Sequence, residues 1–260
     1  MQIAFVAALL SLFGATATVA DPRSPATTLV VLAAANTTDP LNDIIGIFEA
    51  EHPGVAVVPE YAGTQVLATQ AQQGAPFDVF VSADKAHIEA LERSGLVGEA
   101  IPLSNGHEVI VVPKDDPAGI ASLRDLADKN AKIVLGVDTV PIGIYTRQVL
   151  AKASADYGAD FPARVLAHAV SFETNVKQVL EKVALGEADA GVVYFTDVGP
   201  TYKDKVRIIG IPQRYEVTAQ NFIAAATRTA HPDFARDLIS MATGPTGQSI
   251  FRRHGYDPMP

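Results

Sequence analysis

Four short stretches of this sequence place small, hydroxyl-bearing or amide-bearing residues where an apolar run gives way to a helix-period segment. Thr28–Ala33 runs into Ala34-Ala35-Asn36-Thr37-Thr38-Asp39, and Tyr61-Ala62-Gly63-Thr64-Gln65 follows a second β-branched run. Val140-Pro141-Ile142-Gly143 opens a segment containing Tyr145, and Glu173-Thr174-Asn175 precedes Val176, Val179, Leu180 and Val183 at helical spacing. A helix N-terminus carries unpaired N–H groups and a partial positive charge, so it attracts anions. Four such ends converging on one cleft would hold a fully dehydrated oxyanion with neutral donors alone. Asn, Thr and Asp are also ordinary helix caps. At any single turn capping is explanation enough; the case for a site rests on the joint occurrence.

Catalytic and metal-binding patterns are missing beside these turns. His52, His87, His107, His168, His231 and His254 show no metal-ligand spacing, and His87-Ile88-Glu89 lacks the cysteine pair a zinc deaminase needs. There is no G-x-S-x-G elbow, no G-x-x-x-x-G-K-[ST] loop and no G-x-G-x-x-G fingerprint. Asp115-Asp116 sits in a proline-flanked turn and reads as solvated surface. Arg252-Arg253 reads as the cationic end of a helix. A triad assembled from scattered residues stays open as the reading of another class, an exported hydrolase, but no motif speaks for it. No enzyme activity and no cofactor are expected.

The elements that must position the turns alternate along the chain. Strands are expected at Thr28–Ala33, Val55–Tyr61, Asp78–Ser82, Glu108–Val112, Lys132–Val137, Val165–Ser171, Gly191–Thr196, Val206–Ile211 and Asn221–Ala225, with helices between them. Runs such as Val109-Ile110-Val111-Val112 are apolar at consecutive positions, as in strands buried on both faces. The expected fold class is therefore α/β, with mainly parallel sheets flanked by helices. Turn clusters at Pro113–Pro117 and Ile211–Tyr215 divide the chain into an outer unit, 27–112 plus 221–260, and a middle unit, 113–220. That division predicts two lobes, crossings near Pro113 and Gln213, and a ligand cleft between; a single continuous domain stays open on periodicity alone.

Composition narrows the partners. Of 260 residues, 20 are Lys or Arg and 29 Asp or Glu, giving a net charge of -9 and no basic stripe for nucleic acid or an anionic membrane. Hydrophobic residues make up 48%, enough for a substantial core. With no cysteine there is no disulfide and no thiolate site. Residues 1–20 carry no charged side chain, and Ile3–Phe13 is almost continuously apolar before small-residue exits at Ala17 and Ala20. This reads as a secretory signal peptide, hence an exported protein.

Several longer motifs carry a resemblance: Leu32-Ala33-Ala34-Ala35, Gln73-Gly74-Ala75-Pro76-Phe77-Asp78, Val140-Pro141-Ile142-Gly143-Ile144-Tyr145, Asn175-Val176-Lys177-Gln178-Val179-Leu180, Gly186-Glu187-Ala188-Asp189-Ala190-Gly191-Val192-Val193-Tyr194, and Gly244-Pro245-Thr246-Gly247-Gln248. Together, from about Thr28 to Pro258, they make the chain similar to the molybdate-binding proteins of bacterial ABC importers, two-lobed periplasmic solute-binding proteins. The resemblance implies capture of a tetrahedral oxyanion, molybdate or tungstate, by a monomer that delivers it to a membrane permease. It implies contact with the anion's oxygens at Asn36, where the family usually has serine, and at Thr64. It further implies backbone amides at Ile142, where a small residue is usual, and at Val176, with a hydroxyl from Tyr194. Asn36 exchanges a hydroxyl for an amide, so sulfate, phosphate and other small anions remain alternative ligands. Lys177, beside Val176, is expected to matter little if neutral dipoles do the binding.

Overall fold

The computed structural model describes residues 27–257 and residue 259; the expected signal segment, 1–20, lies outside the described residues. Strands and helices follow one another as β1 (Thr27–Ala34), α1 (Thr38–Glu51), β2 (Val55–Ala62), α2 (Thr64–Gln72), β3 (Val79–Ser82), α3 (Lys85–Arg93), β4 (Ile101–Gly106), β5 (Glu108–Pro113), α4 (Asp125–Asp128), β6 (Ile133–Gly136), α5 (Pro141–Tyr157), α6 (Phe161–Ala167), β7 (Ala169–Glu173), α7 (Val176–Ala184), β8 (Ala190–Tyr194), β9 (Val206–Gly210), β10 (Ala219–Ala225), α8 (Pro232–Thr243) and α9 (Pro245–Arg253). None of these helices is long and apolar enough to cross a membrane.

The strands form two sheets, ordered β2-β1-β3-β10-β4 and β7-β6-β8-β5-β9. In the first, β1 runs parallel to β2 and β3, and β10 runs antiparallel to β3 and β4. In the second, β6 runs parallel to β7 and β8, and β5 runs antiparallel to β8 and β9. Four strands of each sheet thus point one way, with a single reversed strand second from an edge. That strand is the one arriving from the other sheet. Each sheet with its helices makes one lobe, and the two lobes repeat one topology.

Burial explains why the sheets hold. Leu29, Val31 and Ala33 of β1 pack into one cluster with α1, α8 and α9, while Leu32 faces α2 and α3 from the other side. The second lobe buries Val109–Val112 of β5 with Ile133, Leu135, Val149, Val179 and Leu180 in one core. Each such side chain contributes roughly 1.5–3 kcal/mol by leaving water.

Three expectations are corrected. Glu108–Val112 was expected in the outer unit, but β5 pairs with β8 and β9, so the first crossing falls at His107 rather than near Pro113. The run was legible as a buried strand, and nothing local says which sheet takes it. Val165–Ser171 was expected as a strand; α6 occupies Phe161–Ala167 and β7 starts only at Ala169. Phe161 and Val165 stand one helical turn apart, and burying both on one face outweighs the β-branched run. Finally β4 was missed, because Pro102 and Gly106 argue against a strand; it is an edge strand, where proline is tolerated.

Candidate ligand-binding site

The sequence-expected residues Asn36, Thr64, Ile142, Val176 and Tyr194 all line one small cavity between the lobes. Its volume is about 10 Å³, room for about one water, so the lobes stand nearly shut on it and must part to admit any solute. Asn36 and Thr64 come from the first lobe, at the turns that follow β1 and β2. Ile142 and Val176 come from the second lobe, at the turns that follow β6 and β7, and Tyr194 ends β8. These are C-terminal ends of parallel strands, where α/β sheets gather ligand contacts.

Backbone donors converge there. Thr64 and Val176 are the first residues of α2 and α7, whose first-turn N–H groups have no intrahelical acceptor. Pro141 opens α5 without an N–H, so Ile142 supplies the first amide of that helix. A close approach brings α5 in: a Cβ on Gly143 would lie 1.9 Å from the Val137 carbonyl oxygen, so only glycine fits. Capping accounts for little of this set. Asn175 does cap α7, accepting from the Gln178 N–H at 3.1 Å, but no side chain caps α2 or α5.

The polar side chains are held, and each has something left over. Thr64 is buried, and its Oγ1 accepts from the Ala83 N–H at 3.0 Å, which leaves its own proton to donate. Asn36 is buried; its Nδ2 donates to Asn221 Oδ1 at 3.0 Å, while its Oδ1 has no partner. Tyr256 donates its hydroxyl to the Asn36 carbonyl and fixes that turn. The Tyr194 hydroxyl is likewise buried and unpartnered. Burial above all, with smaller contributions from the acidic groups of Tyr145, Glu108, Asp197 and Asp84, pushes the Tyr194 phenol well above its ordinary range, so it stays a proton donor. Its ring packs edge-on against Tyr145 at 6.4 Å, and its backbone N–H donates to Asp197 Oδ2 at 3.2 Å. A buried polar atom left unpaired costs roughly 1–3 kcal/mol. Two such atoms belong to residues that line this one cavity.

The lobes also touch beside the cavity. Gln65 Nε2 donates to the Thr174 carbonyl across the cleft at 2.7 Å, and a Cβ on Gly63 would lie 2.1 Å from that same oxygen. Lys177 is more engaged than its sequence context suggested. Its Nζ lies 3.4 Å from Asp197 Oδ1 and 3.8 Å from Asp39 of the first lobe, and it is absent from the cavity lining. The cation serves the seam between lobes, and the cavity itself is neutral. Among the described residues no cluster of His, Cys, Asp and Glu has the makings of a metal site.

Sequence reading missed Glu108, Tyr145, Asn221 and Ser104. Glu108 had a signal, a lone acid opening an apolar strand. It is buried at the crossing, opposite Tyr194, with both carboxylate oxygens unpaired, and burial pushes its carboxyl up to about 7. Asn221 and Ser104 reach Asn36 only through the fold and carried no local signal.

The bacterial extracellular solute-binding protein family model matches residues 29–257. The chain belongs to that family. Among its relatives, the molybdate-binding protein ModA of Mycobacterium tuberculosis is 34% identical over 238 residues, 91% of this chain and 87% of that one. ModA of Escherichia coli is 29% identical over 253 residues, 88% of each chain. The fold is that of the Azotobacter vinelandii periplasmic molybdate-binding protein, with a TM-score of 0.77 at 24% identity over 89% of this chain and 99% of that one. It is equally that of the sulfate-binding protein SubI of Mycobacterium tuberculosis, with a TM-score of 0.79 at 18% identity over 90% and 87%. For a member of this solute-binding family the fold therefore leaves the solute open, and the cavity must be asked.

Proposed function

We propose that this solute-binding protein captures molybdate, with tungstate as an accepted analogue, and delivers it to the membrane permease of an ABC importer. It is exported to the periplasm, acts as a monomer, and binds and releases without turnover. Asn36, Thr64 and Tyr194 contact the anion through side chains, and Ile142 and Val176 through backbone amides. The observation that carries the reading is the small neutral cavity lined by three helix starts, a free Thr64 proton and an unpartnered Tyr194 hydroxyl. Such a site suits a compact, dehydrated anion and replaces its hydration shell with fixed dipoles. Molybdate is preferred over other anions because the 34% identical relative bears that name along most of its length. One observation favours a second reading: the unpaired Asn36 Oδ1 is an acceptor, which suits an anion carrying a proton, such as hydrogen phosphate.

A competition series on the purified protein separates the two. Molybdate and tungstate are expected to bind at least about tenfold tighter than sulfate or phosphate, roughly 1.4 kcal/mol. Sulfate or phosphate binding as well as molybdate would overturn the assignment.

A further inference from the structure

Asn36 does not stand alone: it ends a buried chain of three polar side chains running away from the cavity. Asn36 Nδ2 donates to Asn221 Oδ1 at 3.0 Å, and Asn221 Nδ2 donates to Ser104 Oγ at 2.9 Å. All three residues are buried, and Asn221 and Ser104 are cross-strand neighbours on β10 and β4. Neither Asn221 nor Ser104 lines the cavity. In this arrangement both hydrogen bonds of the chain run away from Asn36, whose unpaired atom is an acceptor, Oδ1.

The chain can run the other way. A half-turn of each amide exchanges its oxygen and nitrogen while the other atoms keep their places, and a hydroxyl both gives and takes a hydrogen bond. Ser104 then donates to Asn221 Oδ1, Asn221 Nδ2 donates to Asn36 Oδ1, and Asn36 presents an N–H to the cavity. The Tyr256 bond to the Asn36 carbonyl holds the turn still in either case. A proton-free dianion such as molybdate or sulfate needs the donor end. Hydrogen phosphate, which brings a proton of its own, is served by the acceptor end.

We propose that Asn221, backed by Ser104, is a positioning residue that keeps the Asn36 amide reversible: its own amide both gives and takes a hydrogen bond, so Asn36 can turn its donor end to a proton-free dianion or its acceptor end to a protonated one. The proposal rests on the oxyanion reading above and assigns the site's accommodation of both protonation states to residues that do not line the cavity.

The test compares sulfate, molybdate and phosphate at about pH 8, where all three carry close to two negative charges. Asn221→Asp, ionised, only accepts; it takes the Asn36 N–H and the Ser104 O–H and locks the acceptor end toward the cavity. Its added charge acts alike on all three dianions. It is expected to weaken sulfate and molybdate at least about tenfold more than phosphate. Asn221→Leu leaves Asn36 free to turn, and is expected to keep the sulfate-to-phosphate ratio within about threefold of the wild type. Equal losses for all anions in Asn221→Asp, or the same ratio shift in Asn221→Leu, would overturn the proposal. Should the Asp variant not melt cooperatively, the wild type decides by NMR. The Asn36 side-chain amide protons are expected to move on adding sulfate and to stay near their ligand-free positions with phosphate. Identical responses contradict the proposal. A wild type that binds none of the anions removes the oxyanion reading and this inference together, whereas binding with an unmoved ratio removes the inference alone.

Discussion

Of the residues proposed as ligand contacts, the first lobe contributes Asn36 and Thr64, whose side chains carry polar atoms, whereas the second contributes Ile142 and Val176, which have apolar side chains and only their backbone to offer, and one phenol, Tyr194. Both lobes use the same two turns of the same topology, those after the strand second from the parallel edge and after the edge strand beside it. The difference is chemical. Backbone dipoles cannot be exchanged by substitution, so the second lobe supplies anion attraction that any oxyanion shares. Side chains can be exchanged, so selectivity belongs mainly to the first lobe and to what holds its side chains in place.

Closure must bring these halves together, and the tightest approach gives the largest expected effect. Gly63→Val puts a side chain where the Thr174 carbonyl oxygen would lie 2.1 Å from its Cβ. The lobes can then no longer meet, and a ligand held by one lobe loses the other's contacts. Calorimetry is expected to show a loss of about a hundredfold or more, some 2.7 kcal/mol, with the ligand-free melt nearly unchanged. Full affinity in that variant would mean that the lobes do not close on the ligand.

The seam between the lobes holds the next effect. Glu108, pushed up to about 7 by burial, is neutral in the folded protein below that pH and ionised above it. Because its folded value is raised, the stability it contributes is present at acid pH and is lost as pH rises through about 7. Glu108→Gln should therefore gain roughly 2–3 kcal/mol over wild type near pH 8 and almost nothing near pH 5, read from paired denaturant melts. A constant offset at both values would show that the carboxyl does not titrate there.

Within the cavity, Tyr194→Phe removes one charge-assisted hydrogen bond of about 1.5–3 kcal/mol, so affinity should fall ten- to a hundredfold. The fold should persist, since the hydroxyl has no partner in the protein to lose. The smallest pair sharpens the contrast between lobes. Thr64→Val removes a donor and should cost about tenfold, whereas Val176→Ala keeps its backbone N–H and should cost less than about threefold. Similar losses in both would break the division into side-chain and backbone lobes.

The turns that hold four of the cavity residues were readable as local signals, whereas the contact roles, and Tyr194 altogether, came from the family resemblance. Thr64 follows a glycine at a helix start, Ile142 follows a proline at another, and Asn36 follows a buried strand. What could not be read were the groups that reach them through the fold. Asn221 lies 185 positions from Asn36, and only the pairing of β10 with β3 and β4 brings it near. The crossing at His107 was hidden for a related reason, since β5 is apolar throughout after Glu108 and suits either sheet. Lys177 looked like a bystander because the partners of a cation beside a helix start, Asp39 and Asp197, belong to other elements. Local chemistry announces itself in the chain; alliances between distant strands do not.

The central claim is that neutral dipoles from both lobes hold the anion in a closed cavity, and titration calorimetry with molybdate at two salt concentrations tests it most directly. At about 20 mM and about 500 mM salt, a buried dipolar site is poorly screened. One molybdate per chain should bind at micromolar concentration or tighter, with a Kd that shifts less than about threefold between the two conditions. No heat at micromolar ligand, or a Kd that weakens more than about tenfold in high salt, would contradict the claim.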